Sequence, residues 1–174
     1  MKRNVLARVV VLAQNHCVPK LDSIDLMILD ELQSDGRLSN IDLADRVGLS
    51  PSACHRRVRR LESEGVIAGY VMVLDAAIIG RGLDVFVEIS LVSQSVESLA
   101  RFEEEVVHCP EVMSCHLMAG DADYIVHLAV RDTRDFERIH NEYLSRFPGV
   151  ARLKSNFAIR TIRETTRHHL ARSI

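Results

Sequence analysis

Three short segments between residues 21 and 65 each carry apolar side chains at helical spacing and each end at a glycine. A glycine directly after the last periodic residue commonly terminates a helix. The glycines are Gly36, Gly48 and Gly65, and the candidate N-caps before the segments are Asp22, Ser39 and Ser50. Because aspartate and serine side chains accept hydrogen bonds from the free N–H groups of a first helical turn, we predict three helices.

The second and third predicted helices are separated only by Gly48 and Leu49. Two helices joined by a tight glycine-containing turn, with a helix before them, form the outline of a helix-turn-helix unit. The apolar run that follows, residues 66–75, predicts two short strands about Gly69, which would form a hairpin wing. Residues 75–82 predict a linker with one helical turn at 76–79.

The third helix has a narrow apolar seam made by Cys54, Val58 and Leu61. Its other side carries small hydroxyl and basic residues: Ser52, Arg56, Arg59 and Ser63, flanked by His55, Arg57 and Arg60. No acidic residue lies between Asp45 and Glu62 to neutralise them. Guanidinium groups bind guanine edges and phosphates, and small residues allow close approach, so this face suits a DNA major groove.

The side chains nearest the start of this helix are predicted to read bases: Ser52, Ala53, His55 and Arg56. A second set is predicted to contact phosphates: Arg59 and Arg60, together with Ser39, Asn40 and Ser50. This interpretation requires the arginines to face outward. Arginines paired with carboxylates of the same chain would not be available to DNA and would contradict it. The alternative is a metabolite-binding module that controls an enzyme by protein contact, with this helix as the protein interface.

Residues 83–163 form a second periodic region. Its pattern predicts the order β-α-β-β-α-β, with strands at 83–91, 112–119, 124–130 and 150–162. That order is typical of a ferredoxin-like sandwich and makes the chain an α+β protein. We expect helices on one face of the sheet and an apolar face on the other. A second copy of the chain is the simplest cover, so we predict a homodimer.

The turn Gly120–Asp123 carries the chemistry most suggestive of a ligand in this region. Gly120 can present its backbone N–H to an anion, while Asp121 and Asp123 offer carboxylates to an ammonium group. A free amino acid has both groups close together, and Asp123→Ala is expected to abolish its effect without unfolding the chain. The alternative is an ordinary hairpin turn, for which glycine and aspartate are favoured residues.

Other functional classes lack their signatures. The sequence shows no nucleophile–base pair, carboxylate cluster or phosphate loop, so we expect no enzyme, no cofactor and no metal site. The four cysteines lack CxxC spacing and indicate a reducing cytoplasm. No apolar run is long enough to span a membrane, and Arg8 interrupts the first apolar stretch, so we expect neither an anchor nor a signal peptide.

Several motifs together resemble the Lrp/AsnC family of leucine- and asparagine-responsive transcription factors. The matching stretches lie at residues 21–37, 49–70, 85–89, 115–124 and 146–150. The resemblance covers residues 21 to about 163 and implies a winged helix-turn-helix DNA-binding domain (21–74), a linker (75–82) and an effector-binding and oligomerisation sandwich (83–163). Outside it lie an N-terminal extension (1–20) and a basic tail (164–174). The extension and the tail would be arms for an anionic partner or merely solvated, and the extension could also reflect a mis-assigned start.

The resemblance also implies how such a protein works. Family members regulate genes of amino-acid metabolism, dimerise through the sandwich and often assemble to octamers on double-stranded promoter DNA. A small amino acid would bind near the loop at 120–123 and alter assembly or promoter affinity, with Met118 and Tyr124 as neighbours. Nothing in the sequence selects the amino acid, the promoter, or activation over repression.

Overall fold

The computed structural model describes residues 19–170, which divide into two compact units. The first unit ends at Met72 and also includes the described residues from Glu164 onward; the second runs from Val73 to Arg163. The elements in chain order are α1 (Ser23–Ser34), α2 (Asn40–Arg46), α3 (Pro51–Ser63), β1 (Leu83–Leu91), α4 (Val96–Val106), β2 (Val112–Leu117), β3 (Tyr124–Val130), α5 (Thr133–Glu142), a 3-10 turn (Leu144–Arg146) and β4 (Val150–Phe157). No described helix has the length and apolarity that a membrane crossing requires.

The predicted N-caps of the first unit are confirmed. Asp22 and Asp25 form a reciprocal capping box at the start of α1. Ser39 Oγ accepts the Asp42 N–H at 3.1 Å, and Ser50 Oγ accepts the Ala53 N–H at 3.3 Å. Each cap satisfies an N–H group that the first turn leaves unpaired, so the three helices begin where local sequence places them.

The three helices enclose one small apolar core. Ile28 of α1, Leu43 of α2, and Cys54 and Leu61 of α3 are buried in it. The seam predicted for α3 is therefore correct, with Val58 partly buried beside it. Gly48, which joins α2 to α3, has a φ of 68°, a conformation that favours glycine and allows the tight turn.

The predicted hairpin wing is wrong as a pair of strands in this chain. Residues 66–75 contain no strand. The N–H groups of Val66 and Ile67 instead bond to the Leu61 carbonyl at the end of α3, and their side chains pack on the helical core. Beyond them, Met72 is 80% exposed. A two-stranded hairpin is only marginally stable in water unless a further element packs against it, and this explains why residues 66–75 do not form one.

The second unit has the predicted element order. A hydrogen-bonded turn at residues 76–80 lies where one helical turn was predicted at 76–79. Its strands form an antiparallel sheet in the order β2-β3-β1-β4. Alternate residues of β1, namely Val85, Val87 and Ile89, are completely buried. Phe102 of α4 contacts Tyr124 of β3, with ring centroids 4.4 Å apart, so helix and sheet share one core.

The last strand is shorter than predicted. It ends at Phe157, and Ile159, which the sequence placed in its middle, is 99% exposed. The Ala158 N–H makes one more bond, to the Asp84 carbonyl, and Asp84 lies next to the first residue of β1. Strand pairing stops there because the neighbouring strand supplies no further partners.

The open face of the sheet is mixed rather than apolar, which corrects the prediction. Phe86 is exposed and stacks on His127 at 4.7 Å between ring centroids. Lys154 Nζ lies 3.0 Å from Glu88 Oε1 on neighbouring strands. Strand alternation places these side chains on the face of the sheet away from the helices. Because several of them are polar and paired, this face can remain in contact with water.

Candidate functional site

One side of α3 stays open to a partner. Its exposed residues include Ser52, His55, Arg56 and Arg59, which repeat at i, i+3, i+4 and i+7 and so lie along one side of the helix. Ala53 is partly exposed at its N-terminal end. This surface, the α3 face, combines two guanidinium groups, an imidazole and a small hydroxyl on a rigid element.

The four arginines of α3 divide into two pairs. Arg56 has no ion pair within residues 19–170, and Arg59 has only an exposed one, with its Nη1 atom 3.7 Å from Glu62 Oε2. Arg57 and Arg60 turn toward α1, where both reach the carboxylate of Asp25. The outward orientation that DNA binding requires therefore holds for Arg56 and Arg59 and fails for the other two.

Asp25 is the centre of a buried ion network between α1 and α3. Its side chain is completely buried in the core, with Arg57 Nη1 at 2.8 Å from Oδ1 and Arg60 Nη2 on Oδ2. Arg57 Nη1 also lies 2.7 Å from Asp22 Oδ2. The Asp25 N–H, followed by the Arg57 guanidinium, holds the pKa of the Asp22 carboxyl below its usual value.

Arg60 is therefore placed differently from its predicted role at a phosphate. Its guanidinium contacts Asp25, and its Nε lies 4.0 Å from Glu64 Oε1. The sequence pattern indicates only a capping role for Asp22 and no ion pair for Asp25. The spacing of Asp25, Arg57 and Arg60 on their own helices carries no signal of the pairing, because the contact depends on how α1 crosses α3.

The three predicted phosphate contacts at helix starts have structural partners as well. The hydroxyls of Ser39 and Ser50 cap α2 and α3. The Asn40 amide donates to the Pro51 carbonyl at 2.8 Å, which ties α2 to the start of α3. Contacts from these residues to DNA stay predictions.

In the second unit, the predicted effector loop is divided between surface and core. Three residues of this region are exposed: Met118, Gly120 and Asp121. A Cβ at Gly120 would meet nothing within 4 Å, so the backbone there is open to a ligand from outside.

Asp123 and Tyr124 lie inside instead. Asp123 Oδ2 accepts the Leu91 N–H at 2.7 Å, and its Oδ1 accepts from the Gln94 amide at 2.6 Å. The carboxylate thus holds the end of β1, so Asp123→Ala is now expected to destabilise this unit as well as to change the loop. The Tyr124 hydroxyl donates to Glu103 Oε1 at 2.8 Å, and burial is the main cause that raises its pKa.

The cysteines of the described chain are not activated. Burial raises the pKa of the Cys109 thiol to about 11 and that of Cys115 to about 12, and it raises the pKa of Cys54 as well. A thiol with so high a pKa carries almost no thiolate at neutral pH. Between residues 19 and 170, no group of three or more metal-ligating side chains comes together.

Comparison with known proteins matches both units. The model of a winged helix-turn-helix DNA-binding domain matches residues 21–68, and the model of the Lrp/AsnC ligand binding domain matches residues 84–168. The Bkd operon transcriptional regulator of Pseudomonas aeruginosa is 48% identical over 143 residues, which cover 82% of this chain and 94% of the relative. The leucine-responsive regulatory protein of Escherichia coli K12 is 40% identical over 147 residues, 84% of this chain and 90% of the relative.

Solved structures agree with this assignment. An AsnC family transcriptional regulator from Agrobacterium tumefaciens has a TM-score of 0.82 at 36% identity, covering 86% of this chain and 97% of that one. A transcriptional regulator of Neisseria meningitidis in complex with L-Met has a TM-score of 0.80 at 34% identity, covering 84% and 95%. From its helix-turn-helix, its sandwich and these relatives, the chain belongs to the Lrp/AsnC family, a family of transcriptional regulators rather than enzymes.

Proposed function

We propose that this chain regulates genes of amino-acid metabolism by placing the α3 face in the major groove of promoter DNA, with binding or assembly altered by a small amino acid. The observation that carries the proposal is the exposed row on α3, where Arg56 and Arg59 remain available while Arg57 and Arg60 hold the helix against α1. A helix docked by two ion pairs to one buried carboxylate presents its outer side chains rigidly, which lowers the cost of ordering them at DNA.

Within this proposal, the exposed residues have different tasks. Ser52 and Ala53 let the helix approach base edges closely, and Arg56 reaches a guanine or a neighbouring base together with His55. Arg59, one turn further along, binds a phosphate. The backbone and hydroxyl groups around Ser39, Asn40 and Ser50 stay candidates for additional phosphate contacts.

A salt titration separates DNA binding from the alternative of a protein-docking helix. We expect the logarithm of the DNA association constant to fall linearly with the logarithm of salt concentration, by about 0.9 for each phosphate contact. Fluorescence anisotropy with a duplex selected by the chain from a random pool measures the slope. A docking surface for an enzyme has no reason to enrich any duplex sequence, so failure of the selection would contradict the proposal.

The effector is proposed to be a small amino acid with an apolar side chain. Among the similar proteins, several are leucine-responsive regulators by name and one structure is a complex with L-Met. In this chain, the exposed backbone at Gly120 offers an N–H to a carboxylate, and Asp121 offers a carboxylate to an ammonium group. Met118 lies close along the chain as an apolar neighbour, while Asp123 and Tyr124 would support the loop from inside.

Gly120→Ala is expected to weaken the amino acid's effect without changing the stability of the chain. The new methyl group meets nothing in the free protein, but it would occupy the place where a ligand carboxylate approaches the backbone. Thermal-shift screening against leucine, methionine and the other amino acids measures binding, because a ligand selective for the folded state raises the melting temperature.

Gly36→Ala serves as the matched control for that variant. Its new Cβ would make ordinary contacts of 3.7 Å in the first unit, far along the chain from the loop. We expect the control to keep the wild-type ligand shift. A wild-type response in Gly120→Ala would remove the loop backbone from the site.

We also propose a homodimer formed through the open face of the sheet, assembly toward an octamer on DNA, and action in the cytoplasm. Phe86 is an exposed aromatic side chain on that face and supports an interface there. The exposed apolar segment around Met72 supports a further contact between copies. Free cysteines at 54, 109 and 115 fit a reducing compartment.

A further inference from the structure

The C-terminal segment after β4 has a place in the fold that its composition did not predict. Residues 151–174 carry six basic residues against one acidic residue, which is typical of a solvated tail or a nucleic-acid arm. The described part of the tail, residues 164–170, instead belongs to the unit that contains the three helices.

The segment is held on the outer side of α1 by side chain and backbone together. Arg167 Nη2 lies 2.7 Å from Asp30 Oδ1. The Gln33 amide makes two bonds to one residue: its Oε1 accepts the His168 N–H at 2.7 Å, and its Nε2 donates to the His168 carbonyl at 3.3 Å. A side-chain amide that binds both groups of one residue clamps an extended backbone much as a neighbouring strand does.

An apolar anchor lies just beyond the clamp. Leu170 is partly buried and packs against the helical core that contains Ile28, Cys54 and Leu61. The segment therefore combines an ion pair, a doubly bonded backbone and a buried aliphatic side chain within four residues. Such a combination is specific for position along α1, whereas a solvated basic tail requires none of it.

We propose that residues 164–170 are a strap that docks on α1 of the DNA-binding unit in the same chain. Arg163 still belongs to the second unit and Glu164 to the first, so the chain connects the two units here as well as near Met72, and a docked strap fixes this second connection to α1. A docked strap shortens the free connection to the DNA-binding unit and so limits its motion; an undocked strap releases it.

The docked strap also determines which group the basic side chain of Arg167 contacts. The charge of Arg167 is paired with Asp30, so it contributes to docking and not to a phosphate contact. We therefore expect Arg167→Ala to leave the salt slope of DNA binding unchanged. A fall of about 0.9 in that slope would assign the tail to DNA and overturn the strap.

Amide hydrogen exchange at His168 tests docking directly in the full-length chain. In the wild type, the His168 N–H is expected to exchange at least about tenfold more slowly than its intrinsic rate, because Gln33 accepts it. Gln33→Ala is expected to remove the protection, whereas Gln33→Glu keeps an acceptor and retains part of it. Ser34→Ala, on the neighbouring position of α1, is the control and keeps wild-type protection.

A mixing experiment decides whether the strap docks on its own chain. Isotope-labelled Gln33→Ala chains are refolded together with an excess of unlabelled wild type, and exchange at His168 of the labelled chains is followed. The proposal expects His168 to stay unprotected. If protection returns on mixing, the segment docks on a second copy of the chain. If His168 is unprotected in the wild type, the segment does not dock at all. Either result overturns the proposal.

Discussion

Replacing Arg57 and Arg60 together by alanine is expected to destabilise the DNA-binding unit by about 3–5 kcal/mol, because a buried carboxylate would lose both of its cations. The carboxylate is that of Asp25, which is completely buried and keeps only its capping contact to Asp22 in such a variant. A domain of ordinary stability holds about 5–15 kcal/mol in total, so the loss would unfold much of the unit near 37 °C. Thermal and urea unfolding followed by circular dichroism measure it.

Two further variants make this test specific. Adding Asp25→Ala to the double variant is expected to recover part of the stability, because it removes the stranded charge. Arg56→Ala and Arg59→Ala together are the matched control, since they change two arginines on the exposed side of the same helix and should alter stability by no more than about 0.5 kcal/mol for each residue. Equal destabilisation by the inner and outer pairs would contradict the network as a determinant of the fold.

Arg56→Ala is expected to cost about 1–3 kcal/mol in binding to the selected duplex, roughly 5- to 150-fold in the dissociation constant. Binding to a scrambled duplex should change much less, because a base contact contributes only at the correct sequence. The physical basis is the exposed position of Arg56 on α3 and the absence of an intramolecular carboxylate partner among residues 19–170. Competition binding on the two duplexes measures the ratio.

Arg59→Ala distinguishes a phosphate contact from a base contact on the same helix. We expect it to weaken both duplexes by a similar factor and to reduce the salt slope by about 0.9, while leaving sequence preference intact. Identical behaviour of the two variants would show that the division between base and phosphate contacts is wrong. Wild-type curves for both would remove the α3 face from the DNA interface.

Much of the fold follows from local sequence. The caps at Asp22, Ser39 and Ser50 and the buried seam at Cys54 and Leu61 come from interactions within one or two helical turns. The alternation in β1 predicts its buried face for the same reason, since neighbouring side chains on a strand point to opposite sides. The prediction of a wing was wrong because the N–H groups of Val66 and Ile67 bond to the end of α3. Strand propensity takes no account of such a contact with a preceding helix.

The candidate site was predictable as a surface and less so as a set of residues. Helical periodicity identified the α3 face, and glycine and aspartate in a turn identified the loop at 120–123. The structure keeps the following predicted residues exposed: Ser52, His55, Arg56, Arg59, Gly120 and Asp121. The sequence did not show that Arg59 and Asp121 point outward while Arg60 and Asp123 bind partners within the chain. In both pairs, the neighbour that turns inward meets a partner from a distant part of the chain.

Local sequence determines where the helices and the four strands of the sheet begin, which side of the helices is buried, and that a cationic helix follows a tight turn. Those properties depend on residues within a few positions of one another, where spacing along the chain is also distance in space. Which charged side chains remain unpaired depends on the tertiary structure. Asp25 pairs with Arg57 and Arg60, and Asp30 pairs with Arg167. The Asp123 carboxylate accepts hydrogen bonds from Leu91 and Gln94. These partners lie about 30 to 140 positions apart along the chain, so their pairing exists only once the elements are packed.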